Sequence, residues 1–461
     1  MFSRGISPGQ EGFALPSVLL MITLLSLVAI SVLGLQLILR RVALMEIGKV
    51  KAEYAAESGI AKSLAEVGAA NDILRVLSGL NLHFDSEDES RSDVELQPWG
   101  VYIRARSEGG FHQFRTSLTA LTACNPSSEF DNALIFANAT HQLVFTGSAG
   151  ILGNVLTGQP GATVGNLSNY NTPIQIPIKG TLRRDQRPDL VPFDTLLLAS
   201  QVRSYQDLLS GKIKMGGDAH ILSLGSGIDF LVDHRIITDS LDYLFIRGNV
   251  TIDAKIARSE RPLFVVVNGD ILLKEPFTAS GLVAILGSGA LTIQEEVKID
   301  EAILYSWKSV ELKEGATVSA QLIAPSILLK SGSRAQYPSA LISTIVGLPD
   351  STRQSIFLSD GAQVEGFVGL YSTGLSAQTD RLITVRPGAN VTGAIFSGGA
   401  VTLDGTVQGC VMTRDFYFYE PPTKYFGWLR SGTIDRTRLP SGYLVPYGFS
   451  TTKELDVLDW L

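Results

Sequence analysis

The sequence predicts a mainly β chain. One long N-terminal transmembrane α-helix should lead into a small α+β hairpin unit and then a single-stranded parallel β-helix. Three observations predict this. Residues 12–39 carry no charged side chain. Apolar residues then recur at helical spacing as far as Val67. From about residue 130, short apolar runs alternate with glycine turns and helical periodicity fades. A β-sandwich also produces short strands with glycine turns and is the alternative.

Phe13–Leu39 is 27 residues of apolar sequence with scattered Ser, Thr and Gln. At ~1.5 Å per residue it exceeds a ~30 Å hydrocarbon layer. It is longer than the apolar core of a cleaved secretory signal and ends at Arg40-Arg41, so it should stay attached. Beyond it, Met45, Val50, Tyr54, Ile60, Leu64 and Val67 suggest an amphipathic continuation, with Glu46, Lys49, Lys51, Glu53, Glu57 and Lys62 among them. The expected helix therefore spans 13–67. Pro16 is tolerated in its first turn, where its missing N–H costs nothing.

Gly12-Phe13, followed at once by the apolar run, and AEYAAESGIAKSLAEV at 52–67 resemble the N-terminal segment of the type IV pilin and type II secretion pseudopilin superfamily. The resemblance covers roughly the first 70 residues. It implies that 1–12 is a leader removed by a prepilin peptidase between Gly12 and Phe13. It also implies a single-pass location in a bacterial inner membrane, with the remaining mass in the periplasm or on a fibre. The helix face of Leu15, Ser17, Leu19, Ile22 and Ser26 would then pack against other pilin or pseudopilin subunits. The family's usual glutamate, fifth after the cut, is Ser17 here. A chain lacking that intramembrane charge suits a tip or priming position better than a repeating one. Charge alone does not fix orientation, because Arg40, Arg41, Lys49 and Lys51 lie on the far side of the span from Arg4.

NLHFDSEDESRSDVE at 81–95 reads as an acidic loop. VYIRARSEGGFHQFRTSLTALTA at 101–123 reads as a β-hairpin turning at Glu108-Gly109-Gly110, which places the hairpin unit within 68–123. The β-helix is expected over 124–413, with an irregular part at about 163–245. EGATVSAQLIA (314–324), DGAQVEGFVGL (360–370), PGANVTGAIFS (387–397) and DGTVQGCVMT (404–413) share a Gly, then a valine, then a small residue. In a solenoid the valine stacks inward on the coil below, and the small residue keeps the corner narrow. The rhythm resembles bactofilin-like β-helices. DFYFYEPPTKYFGWL (415–429) opens a C-terminal cap, 414–461, that would cover the last open strand edge. Its aromatic rings could also stack on sugars or dock a partner.

A net charge of −7 with 18% charged residues, and no basic stripe, argues against a nucleic-acid partner. The five histidines have no metal-ligand spacing, so no metal or cofactor is expected. Asp233-His234 and the carboxylates Glu295, Glu296, Asp300 and Glu301 are the residues from which a catalytic group could be drawn; the expectation is a non-enzyme with no catalytic residue. Whether Cys124 and Cys410 pair stays open at this level.

These readings converge on a minor pilin-like structural subunit displaying a β-helix for assembly or adhesion, with surface glycans as candidate ligands. Two alternatives remain: a membrane-anchored, bactofilin-like polymerising scaffold, and a β-helical glycan-acting enzyme.

Overall fold

A single α-helix, α1, runs unbroken from Ala14 to Ala70 over 57 residues. It belongs to a computed structural model that describes residues 14–70, 79–86, 89–186, 189–190, 193–213, 219–225, 230–232, 240–349, 351–371, 381–449 and 454–461. Gly12, Phe13, Asp233 and His234 lie outside the described residues. The chain divides into two units. The first holds α1 through Ile60 with 82–94 and 107–118; the second holds 61–81, 95–106 and 119–461.

In the first unit α1 buries a stripe of small residues at helical spacing: Gly48, Ala52, Ala55, Ala56 and Gly59, ending at Ile60. Met45, Val50 and Tyr54, expected on the packed face, are 37%, 44% and 63% exposed. The reason is close approach. A Cβ on Gly109 would strike Ala52 O and Ala56 N, the helix backbone itself. Gly48 lies against the Phe114 ring, and a Cβ on Gly59 would come 2.6 Å from Ser92 Oγ and 2.9 Å from Ser107 Oγ. At such distances only Gly and Ala fit, and larger residues are displaced to the opposite side. The Lys51 ammonium lies 4.3 Å from the centroid of the Phe111 ring.

The predicted loop at 81–95 is instead two strands, β1 (Leu80–Asp85) and β2 (Ser90–Trp99), and the predicted hairpin becomes β3 (Tyr102–Phe111) and β4 (Phe114–Cys124). The charge run disguised an alternation in which Ser92, Val94 and Leu96 are buried. Gly109-Gly110 sit inside β3 and serve the helix contact. The β3–β4 turn is His112-Gln113, with His112 at φ 50°. A C-terminal strand, Leu455–Trp460, pairs antiparallel with Ala120–Cys124 and completes a five-stranded sheet.

The second unit is dominated by a parallel ladder whose coils each have three short sides. One coil runs Thr317-Val318, then Gln321–Ala324, then Ser326–Leu329. Three inward columns stack through it. Val318, Ala335, Val364, Val391 and Val407 form the first. Leu322, Leu341, Val368, Ile395 and Val411 form the second. Val310, Ile327, Ile356, Ile383 and Val401 form the third. All fifteen are buried. The four valines singled out in the sequence all lie in the first column, one rung apart except where Ala335 intervenes.

Two kinds of glycine shape the later coils. Lys313–Ala316, Lys330–Ser333, Ser359–Ala362 and Arg386–Ala389 are hydrogen-bonded four-residue turns, closed by the N–H of the fourth residue on the carbonyl of the first at 3.0–3.1 Å. Their third residues, Gly315, Gly332, Gly361 and Gly388, have φ of 69–76°, the left-handed position a type II turn reserves for glycine. Gly366, Gly393 and Gly409 pair in register at the corner between the first two sides, with φ of 141°, 141° and 153°.

The ladder does not follow chain order to its end. Val411, Met412 and Thr413 pair in parallel with Leu134, Ile135 and Phe136 of β5 (Asn132–Phe136). Beyond β5 come Asn154–Gly158 and then Leu182–Asp185. Residues 132–185 thus form the last rungs, although they precede the others in sequence. The chain then passes through a second helix, α2 (Leu196–Leu209), and starts the opposite end of the ladder at Ile221–Leu224. The aromatic cluster expected to seal the last coil forms an antiparallel hairpin, Tyr417–Glu420 on Thr423–Phe426, and β5 covers that edge instead. Cys124 and Cys410 are both buried, and no disulfide joins them.

Candidate functional site

The uncharged part of α1 is the feature with the clearest chemical consequence. From Leu15 to Leu39 nearly every side chain is exposed, including Leu15, Leu19 and Ile22, so among the described residues nothing buries this apolar surface. Its hydroxyls turn inward on the helix: Ser26 Oγ donates to Ile22 O at 2.7 Å, Ser31 Oγ to Leu27 O at 2.8 Å and Thr23 Oγ1 to Leu19 O at 2.9 Å. Back-bonding of this kind satisfies these hydroxyl donors without water. Ala14–Leu39 rises ~39 Å at ~1.5 Å per residue, enough to cross a hydrocarbon core. One N-terminal helix is therefore long and apolar enough to anchor the chain in a membrane. Leu15, Ser17, Leu19, Ile22 and Ser26 all lie on this helix.

The carboxylates flagged in the sequence do not converge. Glu295 and Glu296 occupy a coil turn, and Glu296 takes the left-handed position, φ 66°, that glycine holds in later coils. Its carboxyl hydrogen-bonds that of Glu275 on the coil below, which raises the Glu275 pKa. Asp300 and Glu301 lie on the strand Lys298–Ser306, and Glu301 hydrogen-bonds Asp459 of the C-terminal strand. Burial first, then Asp459 and Asp300, pushes the Glu301 carboxyl up from 4.5 to about 8.

Between those two values the folded chain holds a proton at Glu301 that the unfolded chain releases, so this contribution to stability declines as pH rises from about 5 to 8. Glu301→Gln keeps the hydrogen bond without the titration. It is expected to flatten the pH dependence of the thermal midpoint over that range; an unchanged slope would assign the dependence elsewhere.

One cluster was not read from the sequence because its members lie 274–277 residues apart. Asp415, fully buried, places Oδ2 2.7 Å from His141 Nδ1 and 3.2 Å from Asn138 Nδ2, while Oδ1 accepts from Gly427 N–H at 2.8 Å. Burial raises its pKa and the His141 contact opposes that rise. The His141 ring lies 5.7 Å from Phe426. Every oxygen of Asp415 is occupied in joining the 138–141 turn to the aromatic hairpin, which is a bracing arrangement. Among the described residues no group of His, Cys, Asp and Glu is placed to hold a metal ion.

No family model matches the sequence, and no curated protein matches it. Among solved structures, the crystal structure of the competence-associated pilin ComZ from Thermus thermophilus aligns at 12% identity, over 76% of this chain and 92% of that chain. The TM-score is 0.19, too low to establish a common fold.

Proposed function

We propose that the protein is a membrane-anchored structural subunit of the pilin-like kind. Its apolar helix would join similar helices in the inner membrane and then in a fibre, while its β-helix is displayed outside for assembly or adhesion. The observation that carries this reading is the continuity of α1. One unbroken helix is exposed and apolar over its first half and packed through Gly48, Ala52, Ala56 and Gly59 over its second. A lipid anchor alone needs no such rigid extension. A rod that inserts among other rods does, since it must transmit position from the bundle to the displayed mass. Ser17 in place of the usual glutamate supports a tip or priming position rather than a repeating one. The role proposed is structural rather than catalytic.

Cleavage is the discriminating test. N-terminal sequencing of the protein recovered from membranes is expected to begin at Phe13. Gly12→Leu should leave the chain starting at Met1 and absent from any sheared fibre fraction. Recovery of wild-type chain beginning only at Met1 would sink the pilin reading and favour the bactofilin-like scaffold.

A further inference from the structure

A cleft of about 510 Å³ runs across the coil turns of the ladder, lined by Lys313, Glu314, Lys330, Phe357, Asp360 and Arg386, with Ser331 and Ser359 between them. We infer that it is a saccharide-binding site. Lys313, Lys330, Ser359 and Arg386 are the first residues of four consecutive turns. At ~4.8 Å per rung they span ~14 Å along the ladder, the scale of a short oligosaccharide.

Phe357 sits on the outward row between Leu328 and Thr384 and is 38% exposed, a large apolar ring left facing solvent on a polar surface. Around it charges of both signs are held in pairs. Glu311 Oε1 lies 2.9 Å from Lys313 Nζ and 3.6 Å from Lys330 Nζ, and Asp360 Oδ1 lies 3.5 Å from Arg386 Nε. Ser331 Oγ donates to Asp360 O at 2.8 Å, which fixes the turn that carries this carboxylate.

This combination selects its ligand. A polyanion would meet the cations but be opposed by Glu311, Glu314 and Asp360. A peptide strand would need free backbone donors and acceptors, and the strands beneath the cleft are paired on both sides with neighbouring rungs. A pyranose ring satisfies all the groups present. Its C–H face stacks on Phe357, and vicinal hydroxyls both accept from Lys330 and Arg386 and donate to Glu311 and Asp360. The inference rests on the display reading for its setting, because only a displayed coil would meet an external glycan. Its test reads binding alone, so failure of cleavage and failure of binding are separate results.

Full-length protein in nanodiscs should be titrated calorimetrically and by saturation-transfer NMR. The probes are tetrasaccharides of glucose, N-acetylglucosamine and galactose. At least one should bind with a Kd of about 1 mM or tighter. Phe357→Ala, a change at a solvent-facing ring, should weaken that binding at least about tenfold with the thermal midpoint unchanged. Arg386→Ala should weaken it as well. Tyr419→Ala, on the aromatic hairpin, should leave it unaltered. Absence of binding by all three sugars at about 10 mM, or binding that survives Phe357→Ala, would overturn the proposal.

Discussion

Replacing Gly393 with alanine is expected to destabilise the ladder by about 2–6 kcal/mol. Two costs fall at one atom. The residue has φ 141°, a region that L side chains rarely adopt and that costs about 1–3 kcal/mol. The added Cβ would also press on the carbonyl oxygen of Gly366 one rung below, and that oxygen cannot move without shifting its own rung. Overpacking of a closed interior typically costs a further 1–3 kcal/mol. The sum, on the order of 2–6 kcal/mol, is a large fraction of the stability of an ordinary domain, about 5–15 kcal/mol. Chemical denaturation of wild type and variant measures it. Gly332→Ala supplies the contrast, because a Cβ there meets no atom within 4 Å and the cost reduces to its φ of 69°. Equal losses in the two variants would show that the corner is not closed by backbone contact.

Gly109→Val is expected to break the first unit in the same way by a different route. The atoms in its path are Ala52 O and Ala56 N, so α1 must separate from β3 or bend. The cost is expected to be at least about 1–3 kcal/mol. The readout is trypsin cleavage at Lys49 and Lys51, which should accelerate while the ladder stays protected. Ala56→Gly should not restore protection, since removing that methyl leaves the two backbone atoms in place. Rescue by Ala56→Gly would mean that side chains, not backbones, set the approach.

How legible these features were depends on whether their cause is local. The turn glycines and the column Val318, Val364, Val391 and Val407 were readable because each coil repeats one local demand: a left-handed turn residue followed by an inward β-branched side chain. The apolar half of α1 was readable for the same reason, as lipid solubility is a property of composition. The packed half was legible in part: Ile60, Leu64 and Val67 are buried as expected, whereas Met45, Val50 and Tyr54 are exposed. Large residues such as Tyr54 carry more apolar area than Ala52 or Ala56, but proximity to β3 excludes them, and no periodicity count records how near a sheet will come. The strands in 81–95 were missed because Asp85, Glu87, Asp88 and Glu89 outweighed the weaker alternation of Ser92, Val94 and Leu96. Asp415 with His141, Glu301 with Asp459, and the cleft over Phe357 are products of tertiary pairing, which a linear reading cannot assemble.

The join between Val411–Thr413 and β5 makes completion of the ladder a matter of timing. A ribosome releases β5 first, and its partner strand lies roughly 280 residues downstream, which at 5–20 residues per second means a wait of about 15–55 s. Through that interval the unsatisfied edges of β5 and its neighbouring rungs are open to self-association, and a chain stopped short of residue 406 never closes them. Premature termination between residues 221 and 406 should yield aggregates rather than shorter ladders.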